Sequence, residues 1–490
     1  MGSSELKDKA AKGIFWGGFS NGIQQILSAL FGIVLARILS PNDYGMVGML
    51  AVFTGLANSI QEGGFISALT NKKDASDEDY NAVFWFNVVT GIILYIVLFL
   101  SAPKIADFFN QPDLLWLSRI LFLSILIGCF GTAQAAILFK NLMAKERAKI
   151  DIISLISSNV AALIMALNGM SYWGIAIQTV LYLLVGTCMR WYYSPWRPSL
   201  HISFKPLGSF WRFSIKLVIT NIFTQTSNNI FNMILGKFYN ATQVGYYTQG
   251  NKWMTMGSSF TSGMITNIAQ PVLAQITDER EREKNAFLKM IRFIALVSFP
   301  LLLGFALISE ELIIITVTDK WLPSVNLLQI LCVWGAFVPI NDLYRNLIIS
   351  HGKSSFYLYL NFFQCIAQIA LLVCTVRFGI YYMVVTYVLV NFSALICWHI
   401  YANHLLGIKF FDVCREILPY LAVTIFSICI GWGISYFCKS TIVLSLFVKI
   451  FGTAITYCLI LFIFKSSILM ECLEYLSKKT KEIKAKRKGY

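Results

Sequence analysis

Eight polar side chains recur at intervals of three and four residues within one otherwise apolar segment. The segment 211–236 reads WRFSIKLVITNIFTQTSNNIFNMILG. The polar residues with this spacing are Lys216, Thr220, Asn221, Thr224, Gln225, Asn228, Asn229 and Asn232. This spacing places all of them along one face of a helix. Because amide side chains both donate and accept hydrogen bonds, such a face can contact water or a polar ligand.

Three more apolar segments, 14–36, 44–67 and 245–270, carry related polar stripes. Unpaired polar groups are costly in hydrocarbon, so such residues mark surfaces that face a partner or water. The pattern predicts that the four segments surround a wet cavity, and hydrogen bonding between packed helices is the alternative for any single residue. The residues of these stripes are Asn21, Gln24, Gln25, Ser28, Thr54, Asn58, Gln61, Glu62, Gln249, Asn251, Lys252, Thr255, Ser259, Ser262 and Asn267.

The charged residues on or near these segments are mainly cations. Lys216 and Lys252 lie within predicted helices, and Arg37, Arg119 and Lys237 lie near the ends of others. An excess of positive charge suits an anionic ligand such as a pyrophosphate or an acidic sugar. The alternative is that these long side chains reach out of the membrane to its surface.

Three further charged residues are candidates for gating. Glu62 is the main acid on the four polar segments, and we expect it to act as a protonation or gating site. Asp342 and Arg345 are three residues apart on one predicted helix, so they can pair with each other.

The composition indicates which elements position these residues. The 490 residues are 57% hydrophobic and 13% charged, and their mean hydropathy is +0.65. Soluble domains are about 45–50% apolar and about 25% charged. The values exclude a disordered chain, a disulfide scaffold and an ordinary cytosolic enzyme, and they indicate an all-α polytopic membrane protein.

Fourteen stretches are long and apolar enough to be transmembrane helices. Lys and Arg are several times more frequent in alternate loops, which predicts that both termini are cytoplasmic. The net charge of +15 then reflects topology and a basic tail beside anionic lipid, not nucleic-acid binding. The stretches are 14–36, 44–67, 82–102, 114–138, 150–168, 171–190, 211–236, 245–270, 290–309, 325–349, 354–376, 380–400, 416–437 and 441–464.

The two halves of the chain resemble each other when the sequence is shifted by 200 positions. The matches are Asn21 with Asn221, Gln25 with Gln225, Phe31 with Phe231, Leu35 with Leu235 and Gly45 with Gly245. Two parallel repeats around a central cavity are typical of alternating-access transporters. We therefore predict two pseudo-symmetric six-helix bundles, followed by a peripheral helix pair. The predicted parts are a bundle at 1–190, a cytoplasmic linker at 191–210, a bundle at 211–404, the helix pair at 405–464 and a cytoplasmic tail at 465–490.

Signals for catalysis, metal binding and nucleotide binding are missing from the sequence. HGKSS at 351–355 lacks the earlier glycine and the strand of a phosphate-binding loop. The four His residues have no metal-ligand spacing, and the outer loops are too short for a catalytic domain. We expect no enzyme activity and no cofactor, and a proton or sodium gradient is left open as the energy source.

Several stretches resemble the polysaccharide transporters of the multidrug/oligosaccharidyl-lipid/polysaccharide exporter superfamily, especially the colanic-acid-type lipopolysaccharide flippases. The stretch NNIFNMILGKFYNATQVGYYTQGNKW at 228–253 is the most specific of them. The others are LARILSPNDYGMVGML (35–50), SDEDYNAVFWFN (76–87), APKIADFFNQPDL (102–114) and QPVLAQITDE (270–279).

The resemblance implies a bacterial inner-membrane flippase whose two bundles form a V that opens alternately to each side. Its cargo would be an undecaprenyl-pyrophosphate-linked oligosaccharide used for surface polysaccharide. Membrane lipid would be a partner, polysaccharide assembly machinery is left open as a second one, and nucleic acid is not expected. Relatives use a cationic cavity for the pyrophosphate and an outer helix pair for the lipid tail. A drug or cation antiporter of the same superfamily is the alternative, and a membrane-embedded glycan polymerase or acyltransferase is a weaker one.

These expectations assign roles to individual residues. Lys216 and Lys252 would contact the pyrophosphate, and Arg119 is a further substrate-binding candidate. Gating would involve Glu62, the outer cations Arg37 and Lys237, and the pair Asp342 and Arg345. The remaining amides would contact sugar or take part in gating, and they are Asn21, Gln25, Asn221, Gln225, Asn228 and Asn229.

Overall fold

The computed structural model of the chain describes most of its length. The backbone is described at 3–62, 69, 72, 75–209, 211–437, 441–464, 466 and 470–471. Within those ranges the side chains at 3–15, 17–19, 61–62, 209, 211–214, 216–217, 264–268, 271 and 354 are outside the description. The predicted basic tail therefore lies almost wholly outside the described residues, as do the side chains of Glu62 and Lys216.

All of the regular structure in the described ranges is helical. Each of the fourteen predicted stretches coincides with one α-helix or with two consecutive ones. The α-helices are α1 (Ser3–Ile38), α2 (Pro41–Glu62), α3 (Asp77–Phe109), α4 (Leu114–Cys129), α5 (Thr132–Lys140), α6 (Ala144–Leu167), α7 (Trp173–Tyr193), α8 (Trp211–Phe238), α9 (Ala241–Gln275), α10 (Arg280–Leu307), α11 (Ser309–Val317), α12 (Pro323–Gly335), α13 (Val338–Ser350), α14 (Ser354–Thr375), α15 (Ile380–Leu406), α16 (Phe410–Phe437) and α17 (Ile442–Ile463).

In the described residues, ten helical spans are long and apolar enough to cross a membrane. The number is eleven if α4 and α5 together form one bent span. Helices α2, α8 and α9 are not among them, although they contain 22, 28 and 35 residues. These three helices carry polar stripes, which lower their mean hydropathy. The chain is thus a polytopic membrane protein, and fourteen spans remains a prediction.

Side-chain caps fix the starts of helices α2 and α3. Ser76 and Asp79 form a reciprocal capping box at α3, with Asp79 N donating to Ser76 Oγ at 3.3 Å and Ser76 N donating to Asp79 Oδ2 at 2.9 Å. Ser40 and Asp43 make the same exchange at α2. Such caps satisfy N–H groups that have no partner within the helix.

The structure differs from the predicted stretches in two ways. Most helices extend beyond the apolar stretch, because polar residues continue them outside hydrocarbon. Two stretches are broken: α4 and α5 meet at a bend of 46°, and α12 ends before α13, which begins beside Pro339. The nine-residue α11 was not predicted, since it is too short to span a membrane.

The chain divides into two compact units. The first contains Met1–Thr248 and Asn361–Ile380. Within it, α1 packs on α6, α6 on α7 and α7 on α4, while α2 packs on α8. Because α8 belongs to this unit, its polar stripe can be described together with α1 and α2. The predicted bundle boundaries at 190 and 211 stay predictions.

The second unit contains Gln249–Leu360 and Tyr381–Tyr490. Helix α10 is at its centre and contacts α12, α13, α16 and α17. Proline at position 300 lies inside α10, and proline at 419 lies inside α16. The predicted peripheral pair, α16 and α17, packs together and against α10.

Candidate functional site

The amides of α1 and α8 lie in different environments. Asn21 and Gln25 are exposed on α1, and Asn228 is exposed on α8. Asn221 is half-buried, whereas Asn232 is buried. The exposed amides can contact water or a polar ligand, so the stripe on α8 is only in part a packed seam.

The other part of the α8 stripe faces α2. A Cβ added at Gly55 of α2 would lie 3.3 Å from Asn229 Nδ2 and 3.6 Å from Gln225 Oε1. Asn229 Nδ2 also donates to the Gln225 backbone carbonyl at 2.9 Å. These two amides therefore combine local hydrogen bonding with close packing on α2, which is the interhelical role that the sequence left open.

The same seam continues toward the far end of α8. Gly48 of α2 faces the Thr248 hydroxyl, which lies 3.5 Å from Asn232 Oδ1. A Cβ at Gly236 would lie 2.8 Å from the side chains of Met49 and Phe109. Small residues thus let α2 and α8 approach closely along several turns.

Helices α2 and α9 cross at residues that are equivalent under the 200-residue repeat. A Cβ at Gly45 would lie 1.6 Å from the Ala241 carbonyl oxygen, and one at Gly245 would lie 1.8 Å from the Pro41 carbonyl oxygen. These four residues form two pairs that the shift of 200 exchanges. Only glycine permits such a backbone contact.

The caps beside this crossing are also equivalent. Asn240 accepts a hydrogen bond from Gln243 N at 3.0 Å, as Ser40 does from Asp43 N at 3.3 Å. The helices before them end at Ile38 and Phe238, and those after them begin at Pro41 and Ala241. The internal repeat found in the sequence is therefore confirmed in this region.

The outer cations of the first unit have different partners. Lys237 donates to the Phe108 carbonyl at 2.7 Å, and it lies 4.6 Å from the centre of the Phe108 ring. Arg119 lies 4.3 Å from the ring of Phe99 and 4.8 Å from that of Trp116. Arg37 is exposed. Lys237 thus binds the last turn of α3, and the half-buried Arg119 stacks on two aromatic rings.

Asp342 and Arg345 form a pair in the second unit, as the sequence predicts. Arg345 Nη1 lies 3.8 Å from Asp342 Oδ1, and Asp342 accepts a hydrogen bond from the Ser262 hydroxyl at 2.9 Å. Arg345 also donates to the Tyr357 hydroxyl at 2.7 Å. These contacts join α9, α13 and α14, and the gating role of the pair stays a prediction. Lys252 lies on α9, half-buried in the same unit.

A mainly apolar cavity of about 350 Å³ lies between α10 and α17. Lys449 lines it, and Lys449 Nζ forms an ion pair with Glu311 Oε1 at 2.5 Å. The pair is 13% and 11% exposed, so its charges are largely shielded. A cavity of this kind can accept a hydrocarbon chain beside helices that otherwise face lipid.

Sequence reasoning missed some of these contacts. Gly45 and Gly245 were matched by the repeat, but nothing in the sequence showed their backbone partners. Tyr357 and Glu311 carried no signal at all, since the partner of Tyr357 lies on a different helix and that of Glu311 is remote in the chain. The structure brings Gln225 and Asn229 to one seam against α2.

A family model described as "Polysaccharide biosynthesis protein" matches residues 34–326. The lipopolysaccharide biosynthesis protein WzxC of Escherichia coli (strain K12) is 24% identical over 354 residues, which are 71% of this chain and 71% of that protein. The teichuronic acid biosynthesis protein TuaB of Bacillus subtilis (strain 168) is 25% identical over 349 residues, or 71% of this chain and 72% of that protein.

Solved structures share the fold at low sequence identity. The lipid II flippase MurJ in an inward closed conformation has a TM-score of 0.69 and 15% identity, and the match covers 91% of this chain and 99% of that chain. A multidrug resistance MATE family transporter of the MOP superfamily, in its inward-facing conformation, has a TM-score of 0.62 and 15% identity, over 78% of this chain and 95% of that chain.

Proposed function

Since the chain belongs to the polysaccharide biosynthesis protein family, we propose that it carries lipid-linked oligosaccharide precursors across the bacterial inner membrane. WzxC and TuaB are named for lipopolysaccharide and teichuronic acid biosynthesis, and MurJ is named a lipid II flippase. The cargo proposed for this chain combines these chemistries: a polar oligosaccharide joined through pyrophosphate to an undecaprenyl tail. The protein acts as a secondary transporter and not as an enzyme.

The observation that carries this proposal is the polarity of α2, α8 and α9. They are long enough to cross a membrane, yet they fall outside the apolar span candidates. Such helices are costly in lipid unless their polar faces meet water, cargo or one another. The exposed amides Asn21, Gln25 and Asn228 support the same conclusion.

Each part of the cargo has a proposed counterpart in the chain. Lys216 and Lys252 are assigned to the pyrophosphate, and Arg119 is a further candidate for cargo contact. The sugar is assigned to the amides of α1 and α8 other than Gln225 and Asn229, which pack on α2. The undecaprenyl tail stays in hydrocarbon beside α16 and α17, where the cavity at Lys449 supports this assignment. The arrangement keeps sugar hydroxyls out of the lipid phase.

Alternating access would require the crossing of α2 and α9 to change. Because Gly45 and Gly245 meet backbone atoms so closely, the two helices can separate there but cannot approach further. Cargo that binds one arrangement better than the other shifts the population between them. The gating roles of Glu62, Arg37, Lys237, Asp342 and Arg345 belong to this step.

The test is to delete the gene and measure lipid-linked sugar in the two leaflets of the inner membrane. We expect the precursor to accumulate on the cytoplasmic leaflet and surface polysaccharide to be lost. Purified protein in liposomes should move an undecaprenyl-pyrophosphate oligosaccharide, and imposed proton and sodium gradients should reveal the coupling ion. An unchanged leaflet distribution, or efflux of a cationic dye in place of the sugar lipid, would reject the proposal.

A further inference from the structure

The segment between α7 and α8, the linker predicted from the sequence, is hydrogen-bonded to α3 at residues 199 and 201. Asn81 Nδ2 donates to the His201 carbonyl at 2.6 Å, and Ser199 N donates to Asn81 Oδ1 at 3.0 Å. The Trp85 indole donates to the Ser199 carbonyl at 2.8 Å. At the end of the segment, Leu207 is buried with Tyr80 and other side chains of α3. The connecting segment is therefore part of the folded structure.

Successive side chains of the segment 199–204 alternate between two sides. Ser199, His201 and Ser203 line a cavity of about 340 Å³. Leu200, Ile202 and Phe204 do not line it and are 87%, 51% and 46% exposed. The segment 199–204 thus has a polar face and an apolar face.

The polar face looks toward charged groups at the start of α3. The same cavity is lined by Asp77, Glu78, Asn81 and Arg197. This is an aqueous environment, because the residues are charged or polar and the acids lie in the first turn of α3. The apolar face, in contrast, has three large side chains whose exposure to water would be unfavourable.

The neighbours of the segment indicate a membrane surface. Trp196 lies 6.1 Å from Tyr80 and 6.0 Å from Phe84, measured between ring centres, and the Trp191 indole donates to the Phe130 carbonyl. Trp and Tyr side chains are enriched where a membrane meets water. The apolar run of α3 begins directly after Asn81, so the segment lies at the level where this helix enters hydrocarbon.

We propose that the connecting segment 199–204 is a membrane-surface anchor, with Leu200, Ile202 and Phe204 inserted among the acyl chains of an anionic leaflet. Lys205 directly follows the three apolar residues and is exposed. Cations near a membrane surface attract anionic headgroups. The anchor would fix the segment between α7 and α8 to the bilayer. The proposal depends on the membrane location and not on the identity of the cargo.

The test places p-benzoylphenylalanine singly at positions 199 to 204 of the full chain, in nanodiscs that contain alkyne-tagged phosphatidylglycerol. We expect lipid adducts at positions 200, 202 and 204 and few at 199, 201 and 203, with elution from a sizing column unchanged. Equal labelling at both sets of positions would overturn the proposal. Adducts with another protein, and not with lipid, in intact cells would overturn it as well.

A second measurement tests the role of charge. Lys205→Gln should lower the yield of phosphatidylglycerol adducts at position 202 about fivefold, since one cation near an anionic surface contributes on this scale. The same substitution should leave the yield unchanged in nanodiscs of tagged phosphatidylcholine. An equal fall in both lipids, or no fall in either, would contradict an anionic headgroup partner. A failure of sugar-lipid transport would not alter these readouts.

Discussion

Gly45 and Gly245 are equivalent positions in the 200-residue repeat. Among the described glycines, they are where an added methyl group would make the closest contacts. Gly45→Ala and Gly245→Ala place a Cβ 1.6 Å and 1.8 Å from backbone carbonyl oxygens. Because backbone atoms cannot rotate away, α2 and α9 must separate. Overpacking costs about 1–3 kcal/mol, so we expect lower thermal stability and reduced transport in liposomes.

A matched control is available for these substitutions. Gly433 lies in α16, and no atom is within 4 Å of a Cβ added there. Gly433→Ala should therefore retain both stability and transport. If both Gly45→Ala and Gly245→Ala kept wild-type stability and transport, the close backbone contact between α2 and α9 would not be needed.

A second residue-scale prediction concerns Lys252, which is half-buried on α9. If it binds pyrophosphate, Lys252→Ala should lower transport about tenfold at limiting cargo, because a charged hydrogen bond contributes about 1.5–3 kcal/mol. Lys252→Arg should retain most of the activity, and Lys353→Ala, at an exposed loop position, should have no effect. Transport is measured at equal protein levels. Unchanged transport by Lys252→Ala would remove this residue from the site, and the same experiment applies to Lys216.

At the scale of elements, ion pairs connect the last helix pair to the centre of the second unit. Arg292 of α10 forms a two-point contact with Glu416 of α16, and Arg292 Nη2 lies 2.7 Å from Glu416 Oε1. Lys284 pairs with Asp412 at 3.6 Å. On α17, Lys449 pairs with Glu311 of α11. Helices α16 and α17 are therefore fixed to α10 and α11 by charge as well as by packing.

This connection can be measured by a double-mutant cycle on Arg292 and Glu416. We expect a coupling of about 1–3 kcal/mol in the free energy of unfolding, because both side chains are more than half buried and the contact is bidentate. Arg282 and Glu279 form an exposed pair on one helix end and serve as the control, with less than about 1 kcal/mol expected. Equal coupling in the two cycles would mean that Arg292 and Glu416 do not hold the helices together.

At the scale of the whole molecule, the sequence predicted those features that depend on local chemistry. Apolar length identified the helices. The repeat also located Gly45 and Gly245. The bend between α4 and α5 was not predictable, because Gly131 there faces Thr187 and Arg190 of a different helix.

Contacts between remote parts of the chain were the least predictable. The stripe on α8 looked uniform in sequence, yet Asn229 packs on α2 while Asn228 is exposed. A periodic pattern defines a face but does not identify the neighbour that covers it. The same limit applies to Arg345, whose Tyr357 partner lies on another helix.

The number of membrane crossings is the prediction that concerns the whole chain. If α2, α8 and α9 all cross, residue 240 is on the opposite side from residues 204 and 277. The apolarity criterion alone leaves these three helices out. Their polar faces are satisfied by one another or by water in our interpretation, so all three should cross despite their lower hydropathy.

Reporter fusions test this topology directly. Alkaline phosphatase joined after residue 240 should be active, whereas joined after residue 204 or residue 277 it should be inactive, and green fluorescent protein should give the reverse pattern. The control position is residue 169, which lies between the apolar helices α6 and α7 and should report the outer side. Alkaline phosphatase that is inactive at 240 but active at 169 would mean that α8 and α9 do not both cross. The polar stripe on α8 would then lie outside the membrane, and it could not line a path for sugar.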